Sequence, residues 1–197
     1  MNRRKLLLHT SSTALVGCST IPHNGLDSAP IDPIENTCTK TLSQMEGPYY
    51  HSNLTDTIDM TEGATEGIVT LHGQLTDIKC QPIAQAKIDI WHANQNGDYD
   101  LTSGTRIHYG FVVTDNSGMF TMRTILPGAY LNGPNTYRPR HYHIKIWVQN
   151  VEILTTQLYF VNDEFLQYEP DTPQALMLTL EENTNGWETA YTFVIDS

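Results

Sequence analysis

The sequence predicts an all-β protein, a β-sandwich of about seven or eight strands with long ordered loops. Three observations predict it. From about residue 66 onward apolar and polar residues alternate with period two. Clusters of Gly, Pro, Asn and Asp break the alternation at short intervals. No segment carries a helical period beyond two or three turns. Composition agrees: 197 residues suit about one domain, and 39% hydrophobic with 17% charged residues sets aside collagen-like, coiled-coil and wholly disordered chains.

The strands follow in order. Val69, Leu71, Gly73 and Leu75 alternate with Thr70, His72 and Gln74. Ala86, Ile88 and Ile90 alternate with Lys87 and Asp89. A strand at Phe111–Thr114 runs into the turn cluster Asp115-Asn116-Ser117-Gly118, and Phe120, Met122 and Thr124 resume the alternation. Tyr142, Ile144, Ile146 and Val148 alternate with His141, His143, Lys145 and Trp147. Leu154–Phe160 and Glu188–Ile195 complete the set, with a short helical turn near Asn162–Gln167. Residues 123–143 depart from this rhythm. Pro127, Gly128, Gly133, Pro134 and Pro139 mark an ordered loop rather than a strand, and loops on a rigid scaffold are where sites tend to sit.

The N-terminus reads as an address. Residues 1–17 resemble a bacterial export signal, with Arg3, Arg4 and Lys5 ahead of a short apolar stretch. Leu15-Val16-Gly17-Cys18 resembles a lipobox, with Cys18 as the lipidated residue, and Arg3-Arg4 leaves a twin-arginine route open beside the general secretory one. Residues 18–35, rich in Ser, Pro, Asn and Asp, read as a lipid-anchored tether to a single domain at 36–197. The expected location is periplasmic or at the cell surface. Ser19 after the cysteine leans toward the outer membrane. Two cysteines remain, Cys38 and Cys80; in an oxidising compartment they form either a disulfide or two buried thiols. A disulfide would contribute on the order of 3–4 kcal/mol in the chain-entropy model.

The net charge of −11 contains no basic run outside the leader, which argues against a nucleic-acid partner. No stretch of 18 apolar residues spans a membrane, leaving a lipid anchor as the expected membrane contact. A homo-oligomer is compatible with the sequence.

His141 and His143 sit two apart on an expected strand, so both imidazoles share a face, on the order of 6–7 Å apart along the chain. By itself such a pair is either a metal site or two partly exposed histidines. Tyr99, Tyr130, Tyr137 and Tyr142 are the residues nearby, without cysteine or an acidic cluster. Phenolate is a hard anionic donor, so His plus Tyr suits Fe(III) better than zinc. The tyrosines could equally be packing at loop edges.

Taken together, five stretches resemble the intradiol ring-cleavage dioxygenases, the family of protocatechuate 3,4-dioxygenase and catechol 1,2-dioxygenase. They are GPYY (Gly47–Tyr50), Gly73–Tyr99, Thr114–Tyr130, Asn132–His143 and Thr155–Phe160, in order along the chain. The resemblance implies a non-haem ferric ion held by two tyrosines and two histidines. By motif these are Tyr99, which ends GDY, Tyr130, which ends PGAY, and the pair His141 and His143. Tyr137 is the rival to Tyr130, but it stands before Arg-Pro, where the protocatechuate enzymes carry a non-ligand aromatic residue. Arg138 and Gln157 resemble the arginine and glutamine that stand just outside the ligands in the family. The implied reaction takes a catechol-type substrate and O2 and opens the ring between the two hydroxyl-bearing carbons, giving a cis,cis-muconate-type product. Tyr130 would accept a substrate proton and Arg138 would stabilise charge on the ring. The stretch before Thr114 departs from the family, with HYGF (His108–Phe111) where an arginine-rich version is usual. The residues ahead of GPYY do not resemble the helical N-terminal domain of the catechol 1,2-dioxygenases, so a single catalytic core is expected.

Overall fold

A computed structural model describes residues 37–102 and 106–196. The expected export signal (1–17), Cys18 and the expected tether (18–35) lie outside the described residues.

Seven longer strands and five of two or three residues form among the described residues. In chain order they are β1 (Thr55–Asp56), β2 (Ile68–Asp77), β3 (Lys87–Trp91), β4 (Tyr109–Val113), β5 (Met119–Ile125), β6 (Tyr130–Leu131), β7 (Tyr137–Arg138), β8 (His141–Val148), β9 (Val151–Phe160), β10 (Met177–Leu178), β11 (Glu181–Asn183) and β12 (Gly186–Ile195). Two 3-10 turns, Glu164–Tyr168 and Gln174–Leu176, fall between β9 and β10. The larger sheet has the order β1-β4-β3-β8-β9-β10, and the smaller one β11-β12-β2-β5. The expected loop at 123–143 is shorter than the sequence suggests, because residues 123–125 end β5 and residues 141–143 begin β8. Its tip folds back on itself, so that β6 and β7 form a separate two-stranded ribbon.

The two sheets bury one core. Leu71, Leu75, Met122 and Phe193 from the smaller sheet meet Ile88, Ile90, Tyr142, Ile144 and Ile146 from the larger. Tyr142 is fully buried, and its hydroxyl donates to the Ile125 carbonyl at 2.9 Å. A buried phenol without such a partner would cost on the order of 1–3 kcal/mol. At the turn before β5, the Asp115 carboxylate accepts from the backbone of Ser117 and Met119. Gly118 there has φ +70°, and a Cβ would come within 2.4 Å of the Leu75 carbonyl oxygen.

The segment from Cys38 to Tyr50 crosses the edge of the sandwich as a strap. Cys38 is disulfide-bonded to Cys80, with Cα atoms 5.3 Å apart. Thr41 exchanges two hydrogen bonds with Val194, and Gln44 donates its backbone N–H to Thr155. The strap thus reaches the outer face of the larger sheet, which the candidate site occupies.

Candidate metal centre

Strand β8 sends alternate side chains to opposite faces. Tyr142, Ile144 and Ile146 enter the core, so His141, His143 and Lys145 face outward. Register supplies their neighbours: His143 sits between Trp91 of β3 and Gln157 of β9, and His141 lies beside Tyr159. Cross-strand partners share a face. The His143 ring lies flat on Trp91, with centroids 4.8 Å apart and planes 7° from parallel. The His141 Nδ1–H donates to the Pro139 carbonyl at 2.6 Å, which leaves the Nε2 lone pair free to bind. Nε2 of His141 lies 3.1 Å from Nε2 of His143, and that atom lies 3.1 Å from the Tyr99 hydroxyl. Two donors at a right angle on one metal, with bonds of about 2.0–2.2 Å, stand about 3 Å apart. Three donor atoms therefore converge at ligand spacing.

Two loops bring the tyrosines. The Asn94 side chain accepts from the backbone of Asn96 and Asp98, making a tight turn that ends at Tyr99. Gly97 in this turn has φ +85°, and a Cβ would come within 2.4 Å of the Ala129 carbonyl oxygen. Gly128 is as close to Gln95, and its N–H donates to the Asn94 carbonyl. Backbone thus lies on backbone, and only glycines permit it. Tyr99 and Tyr130 follow, edge to face with ring centroids 5.6 Å apart, and Tyr130 is 5.7 Å from His141. Tyr137 instead packs on Phe165 and Tyr168 of the first 3-10 turn. Its ring belongs to the wall, while Tyr130 belongs to the cluster.

Burial governs protonation here. It pushes the His141 imidazole down to about 3, with the Arg138 charge adding to the effect. Burial, then His141 and Arg138, hold His143 well below its ordinary value. Burial raises both phenols; for Tyr99 the neighbouring Tyr130 adds to it, and for Tyr130 the Arg138 charge partly offsets it. Without a metal, the cluster is two neutral imidazoles and two neutral phenols. Neutral imidazoles are ready ligands, but phenols bind as phenolates, so the ion must displace two protons. A hard trivalent cation fits that demand. Among the described residues no three His, Cys, Asp or Glu side chains gather to hold a metal, so a ligand set here draws on tyrosine.

Arg138 stands beside the cluster, across the ribbon from Tyr130. One Nη donates to the Gln157 side-chain oxygen at 2.7 Å and to the Tyr159 hydroxyl at 3.3 Å, and Nε faces the Glu169 carboxylate. Gln157 in turn donates to the Met45 carbonyl at 2.6 Å, tying the strap to the site. Above the phenols a cleft of about 490 Å³ opens, walled by Tyr49, Tyr99, Tyr130, Tyr137, Leu101 and Leu131.

Residues 45–197 match the family model described as dioxygenase. The chain belongs to the intradiol dioxygenase family. It is 29% identical over 177 residues to catechol 1,2-dioxygenase of Acinetobacter baylyi, covering 77% of this chain and 56% of that one. It is 32% identical over 143 residues to the protocatechuate 3,4-dioxygenase beta chain of Burkholderia cepacia, covering 66% and 60%. The dioxygenase domain of a carbohydrate-binding fusion protein from Streptomyces sp. SirexAA-E superposes with TM-score 0.73 at 31% identity, over 80% of this chain and 99% of that domain. For 3-chlorocatechol 1,2-dioxygenase of Rhodococcus opacus 1CP the values are 0.71 and 27%, over 80% and 72%. The chain spans little more than half the length of the curated relatives it matches.

Within this intradiol dioxygenase fold, several site residues had no sequence signal of their own. Glu169 lies 31 positions beyond Arg138 in an acidic loop. Tyr159 sits one alternation past Gln157, and only strand register puts it against His141 and Arg138. GPYY was legible as a motif, but not its contacts. Gly47 has φ +74°, and a Cβ there would be 3.3 Å from the His143 ring. Tyr49 stacks on Tyr99 at 4.2 Å, and Tyr50 donates to the buried Asp89 carboxylate at 2.9 Å. His92, a bland histidine by sequence, is fully buried and bonds Ala93 and Thr124.

Proposed function

We propose that the chain is a non-haem Fe(III) intradiol dioxygenase acting on a catechol-type substrate and O2, cleaving the ring between the two hydroxyl-bearing carbons to a cis,cis-muconate-type product. The observation that carries this reading is the convergence of His141 Nε2, His143 Nε2 and the Tyr99 hydroxyl at 3.1 Å spacings, with Tyr130 at their edge. Tyr99, Tyr130, His141 and His143 would hold the ion. When bound, it supplies a Lewis acid that takes both catechol oxygens and activates the ring toward dioxygen.

The chain's own residues do the rest. The Pro139 carbonyl and the Trp91 ring fix the two imidazole planes. Tyr130, at the edge of the cluster beside His141, would be the phenolate placed to accept a catechol proton at Oη. Arg138 offers a fixed positive charge beside the ring, preorganised by Gln157, Tyr159 and Glu169. Tyr49, stacked on Tyr99, covers one face of that ring.

A visible spectrum of the iron-loaded domain tests the reading. Tyrosinate-to-iron charge transfer should colour it red-brown, and catechol under argon should shift the band. Colour should be lost in a Tyr99→Phe/Tyr130→Phe double variant. A colourless protein with iron bound would overturn the tyrosinate ligands and the mechanism with them. Bound iron and a catechol-shifted band without turnover would instead favour a non-catalytic binding protein. The sequence of residues 1–18 further supports export and lipidation at Cys18; a Cys18→Ala chain should then leave the membrane fraction.

A further inference from the structure

We propose that Lys145 is a positioning residue: its buried ammonium clamps both ends of the segment Glu46–Tyr50 and so sets the strap against two of the four ligands, His143 and Tyr99. This rests on the reading of the cluster as a ferric catechol site. Three observations carry it.

The first is where the ammonium sits. Lys145 lies two residues past His143 on the outer face of β8, and its side chain is only 4% exposed. It pairs with the Glu46 carboxylate, lies 4.0 Å from the centroid of the Tyr50 ring, and meets Glu152 of β9 at 3.1 Å. Glu46 and Tyr50 are the two ends of one short stretch of the strap. One ammonium therefore holds both. Asp89, the cross-strand neighbour of Lys145, completes the grip. Its fully buried carboxylate accepts from the Tyr50 hydroxyl at 2.9 Å and from the Trp147 indole at 2.7 Å, with Lys87 at 2.9 Å.

The second is what lies between those ends. The chain turns at Pro48 and Tyr49. A Cβ at Gly47 would come within 3.3 Å of Cε1 and 3.8 Å of Nε2 of His143, so the strap runs along the edge of the ring that carries the donor atom. Tyr49 stacks on Tyr99, and its carbonyl accepts from the Tyr109 hydroxyl at 2.9 Å. One stretch thus touches two ligands.

The third is energetic. Taking an ammonium out of water costs about as much as its ion pairs return, so such a group adds little stability and fixes geometry instead. Glu46 and Glu152 are 42% and 43% exposed, and water can serve both when the lysine is gone. Methionine in its place keeps the stem and leaves no buried charge of its own. Position and stability are therefore separable here.

The test compares Lys145→Met, Glu46→Ala and Glu152→Gln with the wild-type chain. In the metal-free proteins, hydrogen–deuterium exchange over residues 41–50 should quicken in the first two. It should not in the third, because Glu152 belongs to the sheet and not to the strap. In the iron-loaded proteins, the first two should move the charge-transfer band and lower kcat for catechol about ten- to a hundredfold, at an unchanged denaturation midpoint. Glu152→Gln should do neither. The double variant Lys145→Met/Glu46→Ala should be no worse than Lys145→Met, because both changes break the same clamp. Should Lys145→Met fail to fold, Glu46→Ala carries the test from the exposed side of the pair. Wild-type exchange, band and kcat in Glu46→Ala would overturn the proposal, while a coloured, catechol-responsive wild type leaves the ferric reading standing. Equal shifts in Glu152→Gln would overturn it too, by tracing the effect to charge near the site and not to the strap. A wild-type protein that binds iron without colour would overturn the ferric reading, and the proposal with it.

Discussion

The two faces of strand β8 are made from alternate residues of one eight-residue segment, yet they are held by different forces. On the inner face Tyr142, Ile144 and Ile146 lie against the opposite sheet and need only fit. On the outer face His141, His143 and Lys145 are equally buried, but every polar atom there needs a partner. Pro139 serves His141, while Glu46 and Glu152 serve Lys145. The His143 Nδ1 has none, and its Nε2 is aimed at the cluster. The inner face therefore accounts for stability, and the outer face accepts polar burial for the sake of a site.

Substitutions on either face should separate these roles. The largest effect is expected for His143→Ala, which would remove one of the four proposed ligands: ring cleavage and the iron colour should fall below detection, while the circular dichroism spectrum stays that of a β protein. Loss of the fold along with the colour would break the division. One residue away on the inner face, Ile144→Ala should act in the opposite sense. It leaves a cavity worth about 2–5 kcal/mol in denaturant titration, and the fraction that remains folded should keep its kcat. A large drop in kcat at constant stability would show that the inner face tunes the site directly.

Glu169→Gln sharpens the outer face. It keeps the shape around Arg138 and removes the countercharge, so kcat should fall roughly ten- to a hundredfold with little change in KM. A changed KM with unchanged kcat would make Glu169 a wall residue only.

Acid should reach both faces at once. Burial, joined by the His108 and Arg138 charges respectively, pushes His92 on the inner side and His141 on the outer side down to about 3, against an ordinary 6.5. Between those values the unfolded chain binds protons that the folded one does not, so stability falls as pH drops through that window. The melting temperature of the metal-free protein should decline from about pH 6.5 downward. A flat profile to pH 4 would mean that these histidines are solvated in the folded state. The smallest effect is expected for Glu152→Gln. Its carboxylate is 43% exposed beside Lys145, and Glu46 remains, so stability should change by less than about 1 kcal/mol.

The strands and most of the site were legible in the sequence for a local reason. Period two needs only neighbouring residues, so β2, β3, β5, β8, β9 and β12 could be read directly. The pair His141 and His143 falls on one face by the same rule, and motif resemblance named Tyr99, Tyr130, Arg138 and Gln157. The two-residue strands were beyond reach, because β6 and β7 have no pattern until the ribbon pairs Tyr130 with Arg138.

By itself, then, the sequence determined which residues alternate, which carry chemistry and which family they resemble, since all three are written in order along the chain. Only the tertiary structure decided which of those residues meet. Glu169 finds Arg138 across 31 positions, Tyr49 finds Tyr99 across 50, and Gly97 and Gly128 close two loops onto each other. Such contacts depend on strand order, register and backbone approach, and no local period records them.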